Sequence, residues 1–158
     1  MCEPQRKLLI RAYKGRGLLC WFIRWQTRSP YSHVALQFGG YFFESYPWKK
    51  PGKKRGLIRQ DMTAADYAAD AFGIEVPEHI YLSMYDWARF HEGNGYDWLA
   101  ICRFISRRRH TSNRRWICSE WIFRDFLDHG IRLLAETEDW EVSPGLLVRS
   151  PLLTREAK

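Results

Sequence analysis

The chain has 158 residues, 46% hydrophobic and 27% charged, with a formal net charge of +7. That length suits one domain whose core needs no disulfide or metal staple, and the balance of apolar and charged residues excludes wholesale disorder. Two quantities stand apart: eight Trp, eight Tyr and nine Phe make 16% of the chain, and 25 Lys and Arg outnumber 18 Asp and Glu, a surplus suited to acidic or phosphate-bearing partners.

Residues 1–7 lack the pattern of a signal peptide. No apolar run approaches the roughly 18 residues of a transmembrane span. Residues 7–13 read as a first strand, broken by Gly15 and Gly17. Residues 17–27 place Leu18, Trp21, Phe22 and Trp25 at helical spacing. Such a stripe is expected to face the core, with a partner or membrane surface as the alternative. Arg28-Ser29-Pro30 ends this helix, because proline pushes its predecessor out of helical geometry.

Residues 32–38 and 41–46 flank Gly39-Gly40 and read as a hairpin with a two-residue turn. A Lys-rich loop follows, then a strand at 56–59, an ambiguous Ala/Asp-rich stretch at 63–71, and a strand at 72–76 stopped by Pro77. Helices are expected at 80–91, at 97–107 and from Cys118 to about Gly130, with a basic loop at 107–115. Residues 140–142 read as a final strand, Ser143-Pro144 as an N-cap with proline at the first helical position, and 154–158 as a frayed end. This order indicates one α+β domain with an antiparallel sheet packed against helices.

The hairpin has a geometric consequence. With Gly39-Gly40 at the turn, Phe38 faces Tyr41, Ala35 faces Glu44 and His33 faces Tyr46. His33, Ala35 and Gln37 then share a face with Phe42, Glu44 and Tyr46, while Val34, Leu36, Phe38, Tyr41 and Phe43 take the greasier face. Glu44 becomes the diagonal neighbour of His33, near enough to reach the imidazole and fix its tautomer. The same pair also reads as a plain cross-strand surface contact.

Cys2, Cys20, Cys102 and Cys118 are widely spaced and read as reduced thiols. The five histidines show no zinc-ligand spacing with them, and no metal or cofactor is expected. Cys20 and Cys102 lie in apolar helical stretches and read as small buried hydrophobes. Cys118 differs, because it begins a helix just after Arg114 and Arg115. A helix N-terminus and neighbouring cations both favour thiolate over thiol.

Four segments together resemble a known family: Thr27-Arg28-Ser29-Pro30-Tyr31-Ser32-His33-Val34, Phe43-Glu44, Gly95-Tyr96-Asp97 and Trp116-Ile117-Cys118-Ser119-Glu120. They look like the circularly permuted NlpC-type, papain-like cysteine hydrolases, nearest to the YiiX/YebB-like group of bacteria and phages. The resemblance spans about residues 7–150 and implies a permuted papain-like fold. Unpermuted relatives place the cysteine first; here the order is His33, Glu44, Cys118. The resemblance implies Cys118 as nucleophile, His33 as general base and Glu44 as the residue orienting the histidine. It implies cleavage of an amide, most often in a cell-wall peptide, through a thioester, without a cofactor. The Cys118 N–H is the expected oxyanion donor, with Tyr46, Tyr96 and Arg115 toward the substrate. Relatives of the same layout act on acyl lipids as hydrolases or acyltransferases, which leaves the acyl substrate open.

The charge surplus admits another class. Lys49, Lys50, Lys53, Lys54 and Arg55 form one basic run, and six arginines between residues 103 and 115 form a second. With interleaved aromatics they suit nucleic acid, and a non-catalytic phage structural module is a third reading. No nucleic-acid-recognition signature accompanies them. Two of those arginines abut Cys118, so thiolate stabilisation and capture of an anionic substrate explain the excess equally well. The expected location is the cytoplasm of a bacterium or of a phage-infected host.

Overall fold

Alternation of apolar and polar residues builds a sheet from the first half of the chain. The strands are β1 (Gln5–Tyr13), β2 (His33–Phe38), β3 (Tyr41–Tyr46), β4 (Gly56–Asp61), β5 (Asp70–Pro77), β6 (Gly95–Tyr96), β7 (Arg115–Trp116) and β8 (Thr154–Arg155). The structure is a computed structural model describing residues 3–46, 56–96 and 115–157; the side chains of Tyr96, Arg115 and Trp116 are outside that description. Six strands form one antiparallel sheet in the order β4-β3-β2-β1-β5-β8. β6 and β7 form a separate parallel pair.

The expected hairpin is present, with Leu36↔Phe43, Gln37↔Phe42 and Phe38↔Tyr41 in register. Gly39 takes φ 58°, a left-handed value that the tight turn needs and glycine reaches without strain. Leu8, Ile10 and Ala12 of β1 join Val34, Leu36, Phe38, Phe43 and Leu57 in the core. Two helices complete that core, α3 (Glu78–Phe90) through Met84 and Ala88, and α4 (Cys118–Asp128) through Trp121, Ile122, Phe123 and Phe126. Each large apolar side chain buried there contributes roughly 1.5–3 kcal/mol.

Other segments depart from expectation. α1 (Leu18–Thr27) buries none of its residues, and Leu18, Trp21 and Trp25 are 87%, 56% and 62% exposed. The aromatic stripe faces outward because α3 and α4 already supply the helical part of the core. Residues 139–141 form a 3-10 turn instead of a strand, closed by Glu141, whose carboxylate accepts from the Glu138 N–H. The C-terminal segment is not frayed at its start: Thr154 and Arg155 pair with Gly73 and Phe72, and the Glu156 N–H donates to the Ala71 carbonyl. The ambiguous stretch contains a short helix α2 (Ala64–Tyr67), capped reciprocally by Thr63 and Asp66. Ser143 caps α5 (Pro144–Leu147), its hydroxyl accepting from the Leu146 N–H at 3.2 Å. The helix expected at 97–107 and nearly all of the basic loop lie outside the described residues. Among the described residues, no helix is long and apolar enough to cross a membrane.

Candidate active site

The segment between α1 and β2 delivers His33 by a series of local bonds. Arg28 ends α1 in a left-handed conformation, φ 48°, and the Ser29 N–H turns back to the Arg24 carbonyl. Ser29 Oγ accepts from the Tyr31 N–H at 3.1 Å, and the Tyr31 hydroxyl donates to Asp70 Oδ2 at 2.8 Å. The Ser32 N–H donates to the Tyr13 carbonyl at 2.9 Å. His33 thus opens β2 directly opposite Tyr13.

The His33 side chain is 17% exposed and its Nε2 lies 2.8 Å from Glu44 Oε2. Glu44 is itself buried, and its Oε1 accepts from the Gln60 side-chain amide. The Tyr13 and Tyr46 rings flank the imidazole, with centroids at 5.7 Å and 5.9 Å. The described β2–β3 ladder ends at Leu36↔Phe43, so the His33–Glu44 contact is made by side chains beyond it.

Cys118 is the first residue of α4 and is buried, within electrostatic reach of His33. With Nε2 engaged by Glu44, Nδ1 is the ring nitrogen left for the sulfur. Burial alone would push the His33 imidazolium down. The charge of a Cys118 thiolate and its hydrogen bond, followed by the hydrogen bond and charge of Glu44, outweigh burial and hold His33 up at about 10. The residues after Cys118 fix the helix start. Ser119 donates to the Val142 carbonyl at 2.6 Å, and Glu120 Oε2 accepts from the Ile117 N–H at 3.4 Å. The Cys118 N–H belongs to the first turn, where backbone donors have no intrahelical acceptor.

The short parallel pair places the chain before Cys118. Gly95 aligns with Arg115 and Tyr96 with Trp116. The turn before β6 is tied to β4 by Leu57 N–H to the Asn94 carbonyl, 2.9 Å, and Gly93 N–H to the Leu57 carbonyl, 2.8 Å. Gly56, at φ 101°, permits this approach, since a Cβ there would overlap the Asn94 carbonyl.

Cys118, His33, Glu44 and Tyr46 therefore come together. Tyr96 and Arg115 have their backbones on β6 and β7, and their side chains lie outside the described residues. Asp97, Cys2, Cys102, the lysine-rich run and the arginines from 103 to 114 also lie outside them. Cys20, expected to be buried, is only half-buried. Sequence reasoning did not find Tyr13 or Gln60, which reach the site through the β1–β2 and β3–β4 registers. Among the described residues, no group of three or more His, Cys, Asp or Glu is arranged to hold a metal ion.

A second histidine contact lies elsewhere. Ser83 Oγ is 2.9 Å from His129 Nε2, and His129 Nδ1 is 3.1 Å from Asp125 Oδ1. Ser83 sits within α3, whose mid-helix N–H groups are committed to the helix and offer no oxyanion donors. This contact ties α3 to the end of α4. No family model matches the chain, and no curated protein matches it.

Proposed function

We propose that the chain is a thiol hydrolase of the circularly permuted, NlpC-type papain-like kind, acting on an amide bond, with cell-wall peptides as the substrate class. One observation carries this reading: His33 is hydrogen-bonded to the buried carboxylate of Glu44 and lies within electrostatic reach of Cys118, a buried cysteine that opens a helix. Nucleophile, base and orienting group in contact are the minimum for nucleophilic acyl transfer.

In this mechanism the Cys118 proton resides on His33, leaving a thiolate beside an imidazolium. Sγ attacks the carbonyl carbon, and the carbonyl π electrons move onto oxygen. The Cys118 N–H donates to that oxyanion. Collapse re-forms the carbonyl and breaks the C–N bond, while His33 hands its proton to the leaving nitrogen. The products of this half are a thioester and a free amine. Water then attacks the thioester, His33 takes its proton, and thiolate departs to leave a carboxylic acid. Glu44 keeps one imidazole orientation throughout and stabilises the imidazolium. Tyr46, Tyr96 and Arg115 are assigned to the substrate side, Arg115 suiting an acidic group.

The test is turnover of a panel of muropeptides, peptide amides and lipid esters by the wild type and Cys118→Ala. The variant is expected to lose activity by about 10³-fold or more on the true substrate class. Equal rates on every member would remove the hydrolase reading.

A further inference from the structure

α1 presents an apolar face that no other part of the described structure covers. Leu18, Trp21 and Trp25 lie at i, i+3 and i+7, a single stripe along the helix. They are 87%, 56% and 62% exposed. The Trp21 and Trp25 rings stack at 6.2 Å, and Phe22 packs on Trp25 at 6.1 Å. One exposed leucine is ordinary; a continuous stripe with two tryptophans marks an interaction surface.

The charges around the stripe select its partner. Between Tyr13 and Glu44 the chain has no acidic residue and four Lys or Arg, namely Lys14, Arg16, Arg24 and Arg28. Lys14 and Arg16 are exposed just before the helix, and Arg28 just after it. Arg24 is half-buried on the helix flank. Tryptophan and leucine on one face with cations at both ends and along one flank suit the boundary between acyl chains and anionic headgroups. A second copy fits poorly, since a two-fold pairing of the stripe would bring the cations of both copies together. Nucleic acid fits poorly as well, since nothing in it matches the aliphatic Leu18 end.

We infer that α1 is a docking element for an anionic lipid surface, lying flat with Leu18, Trp21 and Trp25 immersed and Lys14, Arg16 and Arg28 on the headgroups. α1 runs between Tyr13, whose ring packs on His33, and Ser32, which precedes His33. The inference does not rest on the catalytic reading.

Sedimentation with sucrose-loaded vesicles tests it, comparing phosphatidylcholine alone with phosphatidylcholine containing about 30% phosphatidylglycerol. The wild type is expected to partition at least about tenfold more strongly into the anionic vesicles, and less as salt is raised. The Trp21→Ser, Trp25→Ser double variant is expected to lose about tenfold or more of that partition, with an unchanged circular dichroism spectrum. Leu18→Gln, at the most exposed position, should lower it in the same direction. Cys118→Ala should partition like the wild type, which separates this surface from the chemistry. Absence of wild-type partition, or equal partition of wild type and double variant, overturns the inference. So does a double variant with intact vesicle binding that loses a single-stranded oligonucleotide or a self-association seen by ultracentrifugation.

Discussion

His33 keeps its proton in a setting that opposes charge. Its side chain is 17% exposed and packed between two tyrosine rings, yet its pKa stands near 10 because Cys118 and Glu44 both reward the protonated form. The folded value is raised, so the contribution of this pairing to stability is complete below the ordinary histidine value of 6.5 and is lost as pH rises through about 10. Glu44→Gln keeps a similar shape and removes the charge. For the proposed hydrolase, the alkaline limb of the rate profile should then move to lower pH, with a loss in kcat of about 10–10³-fold. An unmoved limb would show that Glu44 does not act through the imidazole. Thiol chemistry offers a second reading of the same contact. Iodoacetamide near neutral pH, followed by peptide mass spectrometry, should alkylate Cys118 faster than the more accessible Cys20. His33→Ala should abolish the difference. The His33–Glu44 contact and the helix start at Cys118 were legible in the chain because a hairpin register and a helix start depend on near neighbours. Tyr13 and Gln60 were not, because they arrive on strands whose pairing with β2 and β3 is set by longer connections.

Two glycines show how elements are clamped around the site. Gly56 combines φ 101° with contact against the Asn94 carbonyl, so Gly56→Ala adds both backbone strain and overlap. The expected cost is about 2–4 kcal/mol, seen as a lower midpoint in urea unfolding. Because this contact aligns the turn before β6, the proposed hydrolase activity should fall further in the variant than its folded fraction. At Gly145, in α5, a Cβ would overlap Ser29 Oγ and Cβ, in the segment that leads to His33. Elements formed by local pattern matched expectation: the hairpin, α3, α4 and the Ser143 cap. Two short segments did not. Residues 139–141 are too few and too polar to hold a strand without a partner edge, and they close on themselves. Thr154 and Arg155 are too few to announce a strand, and become β8 because the free edge of β5 lies beside them.

Across the molecule, the contact between α3 and α4 imposes its own pH dependence. Asp125 is fully buried, and burial raises its carboxyl from 3.8 to about 7 against the lowering influence of His129. His129 Nδ1 is directed at the Asp125 carbonyl at 2.7 Å, leaving the carboxylate without a well-aimed donor. His129 is raised by its contact with that carboxylate, Asp128 adding in the same direction, and Ser83 meets its other nitrogen. Both folded values lie above the unfolded ones, so both groups lose stabilisation as pH rises, Asp125 between 3.8 and about 7 and His129 from 6.5 upward. Thermal melting should therefore drop in midpoint across about pH 4–8, and Asp125→Asn should flatten that slope. An unchanged slope in the variant would place the pH dependence elsewhere.

Neighbouring residues alone specify the strand and helix periods, the tight turn, the cap at Ser143, the helix that Cys118 opens and the chain order of histidine, glutamate and cysteine, because each depends on contacts a few residues apart. Packing specifies the rest. The sheet order, the outward face of α1, the tyrosine beside His33, the glutamine behind Glu44 and the final edge strand follow from which distant surfaces meet, and no local period carries that information.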